Sequence, residues 1–214
     1  MADCCNPSGY RHFFNQREAR RSLRQYDKRG LDNIARAMVD FLVSRGMQGR
    51  SLLEVGGGIG AVQVELLKAG AEKTVNVELS PGYERVAAEL LEREGLTAKV
   101  TRELGDFTEM AGDLAADDVF MNRVICCYPD MPRLLGAALT SSRRFVAASF
   151  PRDRLGAKIA IGLGNLYCRI RRVDFRAFVH PVRAIEDVAA AHGFRIVYHD
   201  QNFVWRGVVF ERAA

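Results

Sequence analysis

The chain has 214 residues, of which 48% are hydrophobic and 27% are charged, and this composition suits one globular domain with at most a small appendage. It shows neither a secretory signal nor an apolar run of about 20 residues, the length that crosses a bilayer. Its five cysteines are an odd number and include two adjacent pairs, which disfavours a disulfide framework. We therefore expect a cytoplasmic protein without a membrane span.

The net charge of +5 hides an uneven distribution of charged residues. Residues 11–50 carry ten Lys/Arg against four Asp/Glu, and residues 143–183 carry ten against two. These two segments together have a net charge of +14, so the rest of the chain has a net charge of −9. Either they form solvated helix faces, or they face an anionic partner, which could be a small carboxylate or phosphate compound or a nucleic acid.

Residues 1–50 are predicted to form an N-terminal helical cap. The pattern between residues 11 and 46 is helical, with one apolar stripe at three- and four-residue spacing. The stripe consists of Leu31, Ile34, Ala35, Met38 and Leu42.

Residues 51–150 alternate short apolar segments with helical patterns and are predicted to form a Rossmann-like core. The five apolar segments are 51–55, 73–79, 98–104, 117–125 and 143–150. Alternation of strands and helices at this spacing predicts right-handed crossovers and a parallel sheet that is covered on both faces.

The C-terminal part departs from this alternation. The Arg-rich residues 151–178 interrupt it and are predicted to form a helical lid, and residues 179–214 return to the core. A helix over residues 180–192 ends at Gly193, and two strands follow with only two to four residues between them. So short a link allows an antiparallel hairpin but no parallel crossover. The expected fold is α/β and Rossmann-like, with a seven-stranded, mostly parallel sheet that ends in an antiparallel hairpin, all in a single domain.

A glycine-rich loop follows the first predicted strand. The loop and the acidic residue before it comprise Glu54, Gly56, Gly57, Gly58 and Gly60. Its glycines let the backbone turn sharply and let a ligand lie directly against it. Because Gly56, Gly58 and Ala61 also satisfy the looser Gly-x-Gly-x-x-Gly/Ala pattern of dinucleotide-binding proteins, the loop alone fits two kinds of cofactor.

Three acidic positions favour S-adenosylmethionine over a dinucleotide. Glu54 on the first strand could hold the cationic amino-acid part of that cofactor. Glu78, followed by Leu79, lies 18 residues after Gly60 and could accept hydrogen bonds from both ribose hydroxyls. Asp106 follows the third strand and could accept from the adenine amine, while Phe107 packs on the adenine ring.

The order of these motifs over residues 50–212 resembles that of class I S-adenosylmethionine-dependent methyltransferases. Within that class, four segments resemble magnesium-protoporphyrin O-methyltransferases, which methylate a porphyrin propionate. The segments are VFMNRVICCYPDMPRLLGAAL, RRFVAASFP, the Arg-rich insertion and FVHPVRAIEDVAAAHGFRI.

The match to that family is partial at its fourth-strand motif, Val-Leu-Ile-His-Tyr-Pro. The corresponding residues 124–129 read Val-Ile-Cys-Cys-Tyr-Pro, so Tyr128 and the following proline match, but the family's histidine falls on Cys127. An aspartate that the family usually has earlier in the motif falls on Arg123, which the resemblance places among the cofactor-binding positions. His180 matches a histidine that the family keeps before its last helix.

The resemblance implies methyl transfer from a sulfonium, an in-line displacement in which the enzyme chiefly aligns the nucleophile and excludes water. Tyr128 and His180 are the candidates for orienting or deprotonating the acceptor, and each could instead be structural. The candidate substrate-contacting residues are Tyr26, Cys127, Arg152 and Arg176. No metal is expected, because two adjacent cysteines seldom reach one tetrahedral ion together.

The function expected from the sequence is therefore an S-adenosylmethionine-dependent methyltransferase, a monomer or homodimer, that acts on a small, anionic and partly apolar or aromatic molecule. Three alternatives stay open at this point. They are a nucleic-acid methyltransferase or binder that uses the basic segments, an NAD(P)-dependent oxidoreductase on a similar fold, and a protein that binds S-adenosylmethionine without catalysis.

Overall fold

The structure, a computed structural model, describes Tyr10 and residues 13–213. Its helices are α1 (Gln16–Arg29), α2 (Asn33–Ser44), α3 (Ala61–Lys68), α4 (Glu84–Arg93), α5 (Phe107–Met110), α6 (Met131–Ser141), α7 (Leu155–Ile170) and α8 (Val182–Ala191). Its strands are β1 (Ser51–Val55), β2 (Lys73–Glu78), β3 (Val100–Leu104), β4 (Ala116–Asn122), β5 (Ser142–Pro151), β6 (Phe194–Gln201) and β7 (Trp205–Arg212).

The strands form one seven-stranded sheet in the order β3-β2-β1-β4-β5-β7-β6. The pairs among β1 to β5 are parallel, whereas β7 pairs antiparallel with both β5 and β6. The predicted fold is confirmed, including the terminal hairpin. The strand order reverses between β1 and β4, so the loops after these strands diverge and leave a crevice at their carboxyl ends, where ligands bind in open α/β sheets.

Four residues of the predicted apolar stripe, Ile34, Ala35, Met38 and Leu42, lie in α2 and are buried in the core, whereas Leu31 precedes the helix and is partly buried. Asp32 caps this helix, because its side chain accepts hydrogen bonds from the backbone N–H groups of Ile34 and Ala35. The stripe packs on one face of the sheet, where Leu52, Phe120, Phe145 and Val209 are buried with it. The approach is close, since a Cβ at Gly207 of β7 would lie 2.7 Å from Cγ2 of Ile34.

The predicted lid, residues 151–178, contains α7 and the first part of a segment without regular secondary structure that continues to residue 181. Only Ala157 and Cys168 of α7 are buried. The side chain of Asn165 joins the two parts of the lid, because it donates to the carbonyl of Ala177 and accepts from its N–H, each at 2.8 Å. The lid therefore keeps a defined shape although it packs little against the sheet.

The described residues show neither a membrane-crossing helix nor a metal-binding cluster. None of their helices combines the length and the apolar composition that a membrane crossing requires. Nor do three or more His, Cys, Asp or Glu side chains of this part of the chain come together in a way that would hold a metal ion.

Candidate active site

The glycine loop after β1 folds tightly over the side chain of Glu54. A Cβ at Gly57 would lie 2.2 Å from Nδ2 of Asn76 and 2.5 Å from Cδ of Glu54, so only glycine fits there. Gly58 has a φ of +58°, and a Cβ on it would lie 3.2 Å from the ring of Tyr83. The loop backbone therefore needs glycine both for its conformation and for its closeness to the sheet.

Glu54 is buried beneath this loop and does not line the cavity above it. Its Oε2 accepts hydrogen bonds from the backbone N–H of Gln63 at 3.3 Å and from Nδ2 of Asn76 at 3.1 Å. Burial raises the pKa of Glu54 to about 8. A contact between Glu54 and the amino-acid part of a cofactor stays a prediction, and the geometry instead gives this side chain a supporting role under the loop.

A cavity of about 340 Å³ lies above the loop, at the carboxyl ends of β2, β3 and β4. Of the predicted cofactor-binding residues, it is lined by Gly56, Gly57, Gly58, Glu78, Leu79, Asp106, Phe107 and Arg123. Gly60 is not among its lining residues. The sequence motifs therefore converge on one apolar chamber with two carboxylates, and we call it the donor cavity.

Glu78 joins the end of β2 to the glycine loop. One carboxylate oxygen accepts from the N–H of Gly58 at 2.9 Å, and the other accepts from the N–H of Ser80 at 2.8 Å. Burial raises the pKa of Glu78, although these two hydrogen bonds oppose the effect. A carboxylate has about four acceptor positions, so both oxygens keep capacity for hydroxyl groups of a ligand.

Asp106 and Tyr128 form a hydrogen-bonded group on the opposite side of the donor cavity. Asp106 accepts from the backbone N–H of Thr108 at 2.8 Å, from its hydroxyl at 2.9 Å and from the hydroxyl of Tyr128 at 3.2 Å. The hydroxyls of Tyr128 and Thr108 lie 2.9 Å apart. This network fixes the Asp106 carboxylate and holds the Tyr128 ring in the wall of the cavity.

His180 lines neither this cavity nor the second one described below. Its Nε2 lies 3.0 Å from the carbonyl oxygen of Tyr128, and its ring stacks on Phe178 with 5.8 Å between the ring centroids. His180 therefore holds the backbone that carries Tyr128. A direct catalytic role for His180 stays a prediction, and the observed contacts are those of a positioning residue.

Arg123 lines the donor cavity, but its guanidinium is engaged elsewhere. Its backbone has a φ of +61°, and its N–H donates to the hydroxyl of Ser149 at 2.9 Å. The guanidinium contacts the carboxylate of Asp32 at 3.3 Å and lies 4.6 Å from the ring centroid of Trp205. These contacts tie the loop after β4 to α2 and β7.

Aromatic residues before α1 cover the donor cavity, a feature that the sequence analysis missed. Tyr10 and Phe14 line the cavity, and the Tyr10 hydroxyl donates to the carbonyl of Cys127. Phe14 packs edge-on against Phe175 of the lid, with 5.2 Å between the ring centroids. Tyr26, the residue proposed from the sequence, donates instead to Glu65 at 2.6 Å and lines neither cavity.

A second cavity of about 670 Å³ lies between the loop after β4 and the lid. Tyr10 and Cys127 line both cavities, so the two chambers share a wall. The Cys127 sulfur lies 3.7 Å from that of Cys126, and this contact, with burial, raises the pKa of the Cys127 thiol. Cys127 therefore stays a neutral thiol at the junction.

Two arginines, Asp174 and several aromatic rings line the second cavity, and we call it the acceptor cavity. Arg169 and Arg176 line it together with Phe175 and Phe178, and within the part of the chain described neither arginine has an ion-pair partner. Arg152, also proposed from the sequence, donates to the carbonyl of Asn202 at 2.8 Å and lies outside both cavities.

No protein-family model matches this sequence, and no curated protein matches it. Solved structures do match. The chain is similar to magnesium protoporphyrin IX methyltransferase from Synechocystis PCC 6803 with bound SAH, at 18% identity and a TM-score of 0.77, over 97% of this chain and 100% of that one. A second structure of the same protein with bound SAM matches at 17% identity and a TM-score of 0.74, over 100% of both chains.

Two larger proteins share the fold over part of their length. An O-methyltransferase family protein from Burkholderia thailandensis matches at 16% identity and a TM-score of 0.69, over 94% of this chain and 64% of that one. An O-methyltransferase family 2 protein from Planctomyces limnophilus, in complex with apigenin, matches at 18% identity and a TM-score of 0.69, over 99% of this chain and 63% of that one. The chain therefore has the Rossmann-like fold of class I methyltransferases.

Proposed function

We propose that this protein is an S-adenosylmethionine-dependent methyltransferase that transfers the methyl group in line to a small, anionic and partly apolar or aromatic acceptor. One observation carries the proposal. A chamber lined by most of the predicted cofactor residues shares a wall, formed by Tyr10 and Cys127, with a larger chamber lined by aromatic rings and by two arginines that have no ion-pair partner among the described residues. Such a pair of adjoining chambers suits the transfer of a group between two small molecules.

The side chains of the donor cavity fit S-adenosylmethionine. Glu78 keeps free acceptor positions for a ribose diol, Asp106 can accept from an adenine amine, and Phe107 offers a flat apolar contact. The volume of about 340 Å³ lies at the lower end of the range of ligand pockets, which is roughly 300–1,000 Å³. Matching structures with bound SAM and SAH support this choice of cofactor.

S-adenosylmethionine supplies, when bound, an electrophilic methyl group on a sulfonium. The chain itself then has to hold the acceptor in line and keep water out. Tyr10, Phe14 and Phe175 bring aromatic rings together at the junction of the cavities, an arrangement that suits the exclusion of water. Tyr128 lines the donor cavity and is hydrogen-bonded through its hydroxyl, so it is placed to orient a group that reaches the junction.

The acceptor cavity favours a carboxylate or another planar anion. A guanidinium presents a rigid fork of donors that matches a carboxylate, and Arg169 and Arg176 both line this chamber. Phe175 and Phe178 provide faces on which an aromatic body could stack. A carboxylate acceptor needs no general base, because it is already ionised, and this agrees with His180 lying outside both cavities.

The donor cavity is tested by calorimetry with S-adenosylhomocysteine and, in parallel, with NADH. We expect S-adenosylhomocysteine to bind and NADH not to bind. Glu78→Ala should weaken binding by about 1–3 kcal/mol, the cost of leaving buried polar groups without a partner. Glu92→Ala, an exposed acidic residue of α4, is the matched control and should bind normally. Tight binding of NADH alone would contradict the proposal.

The acceptor is sought with isotope-labelled S-adenosylmethionine across aromatic carboxylates, porphyrins included. Arg176→Gln should raise KM for the acceptor at least tenfold with little change in cofactor affinity, while Arg152→Gln should leave both unchanged. Salt dependence separates small molecules from nucleic acids, since nucleic-acid affinity falls steeply between low and moderate salt. Labelling of RNA or DNA, with no small acceptor labelled, would show that the acceptor assignment is wrong.

A further inference from the structure

The outer side of the lid carries a continuous set of exposed apolar side chains. Each has more than half of its surface exposed: Leu155, Ile159, Leu163, Leu166, Tyr167 and Ile170 of α7, with Phe203 of the β6–β7 link. Phe203 belongs to the same patch, because its ring lies 3.4 Å from the Cβ position of Gly156 at the start of α7. We call this set the outer lid face.

The exposed apolar residues of α7 lie on one side of the helix and are not scattered around it. At about 100° per residue, its six helical members fall within an arc of about 120°. Ala157, Ile161 and Cys168, which are buried or half-buried, fall on the opposite side, about 180° away. The helix is therefore apolar on two sides, and only one of them faces the protein. Contiguous exposed apolar surface of this kind marks an interaction site.

The segment that carries the outer lid face is rich in cations that lack an acidic partner among the described residues. Residues 151–178 carry seven Lys/Arg against two Asp/Glu. Lys158 pairs with Asp153 at 2.6 Å, but in the part of the chain described the following have no ion-pair partner: Arg154, Arg169, Arg171, Arg172 and Arg176. The partner of this surface must therefore be apolar where it meets the helix and anionic around it.

We propose that the outer lid face docks the protein on an anionic membrane surface. Lipid bilayers offer acyl chains beneath a layer of headgroups, and an interfacial helix buries its apolar side about 5–10 Å deep while its arginines contact anionic headgroups. The 16 residues of α7 span about 24 Å, and the exposed apolar side chains run along this whole length, so the docked helix would lie in the plane of the interface. A second copy of the chain is a poorer partner, since a two-fold contact would bring two surfaces of the same positive charge together.

Docking in this way has a consequence for the acceptor cavity. Gly162, Leu166 and Arg169 of α7 line that cavity, and Leu166 also belongs to the outer lid face. The lipid surface would therefore lie next to the chamber, within reach of an anionic, partly apolar acceptor that is held at the bilayer surface.

Vesicle flotation tests the docking without cofactor or acceptor, so its result does not depend on the proposed methyltransferase activity. Vesicles of phosphatidylcholine with about 30% phosphatidylglycerol are compared with pure phosphatidylcholine. We expect binding to the anionic vesicles and at least tenfold less to the neutral ones, since each basic residue near an anionic surface contributes about 1 kcal/mol. Leu163→Ser/Ile170→Ser and Arg154→Gln/Arg171→Gln should each reduce binding at least tenfold.

Matched controls remove exposed residues of the same types from the body of the protein. Val43→Ser/Leu104→Ser, at positions 38% and 50% exposed, and Arg21→Gln/Arg195→Gln should bind vesicles as the wild type does. All variants should keep the wild-type circular dichroism spectrum. Docking is refuted by a wild type that floats with neither vesicle, or by controls that lose as much binding as the lid variants. A wild-type dimer in light scattering, made monomeric by Leu163→Ser/Ile170→Ser without vesicle binding, would assign the face to a second copy instead.

Discussion

Glu54 offers a direct test of the local electrostatics under the glycine loop. Its carboxyl is buried, with a pKa of about 8 against a usual value of 4.5. Between these pH values the native state keeps a proton that the unfolded chain releases, so the free energy of unfolding falls as the pH rises. The destabilisation is absent below pH 4.5 and complete above about pH 8. The full destabilisation is about 5 kcal/mol, because each unit of difference in pKa corresponds to about 1.4 kcal/mol.

The substitution Glu54→Gln should remove this pH dependence and leave the local geometry intact. Both hydrogen bonds to Glu54 reach the same oxygen, Oε2, from Gln63 and Asn76. A glutamine can keep them on its carbonyl oxygen and place its amide group where the other oxygen lies. The difference in unfolding free energy between the variant and the wild type should therefore rise by about 3 kcal/mol, in favour of the variant, between pH 5.5 and pH 8.

Urea unfolding, followed by circular dichroism at four pH values from 5.5 to 8.5, measures the effect. Glu72→Gln, an exposed carboxylate, is the control and should run parallel to the wild type. The reasoning is refuted if the Glu54→Gln and wild-type stabilities change with pH in parallel. The same variant separates two roles for Glu54, since a residue beneath the loop leaves S-adenosylhomocysteine affinity nearly unchanged, whereas a ligand-contacting one does not.

Three further predictions follow from single contacts. Gly58→Val should abolish S-adenosylhomocysteine binding in calorimetry, because φ is +58° and the new side chain meets Tyr83; normal binding would show that the loop assignment is wrong. Tyr128→Phe loses two hydrogen bonds and should lower the unfolding free energy in urea by about 1–3 kcal/mol; an unchanged stability would contradict the network. Asn165→Ala breaks both hydrogen bonds to Ala177 and should raise KM for the acceptor more than it changes kcat. A fall in kcat with an unchanged KM would exclude a role of Asn165 in shaping the acceptor cavity.

The fold and much of the donor cavity were predictable because their signals are local. Glu78 ends one predicted strand and Asp106 follows the next, and the carboxyl ends of parallel strands must meet at one edge of the sheet. A last link of only two to four residues allows an antiparallel hairpin but no parallel crossover, and the pairing of β6 with β7 confirms the hairpin. Such features depend on spacing along the chain and need no knowledge of distant contacts.

The parts that escaped prediction depend on contacts between distant segments. The sequence gives Tyr26 as a candidate substrate-contacting residue and does not single out Tyr10, whose hydrogen bond to Cys127 spans 117 residues. Glu54 was assigned to a ligand, and its burial beneath Gly57 follows only from the path of the loop in three dimensions. The sequence signal that could have pointed to Tyr10 and Phe14 as cavity-lining residues is the cluster of aromatic residues in positions 10–14.

Tyr10 is a structural element that the two cavities share. One ring lines both cavities and is held by a hydrogen bond to the backbone of Cys127. A displacement of this ring would therefore change the walls of both chambers at once. We accordingly expect a ligand in the acceptor cavity to alter the rate at which S-adenosylhomocysteine leaves the donor cavity.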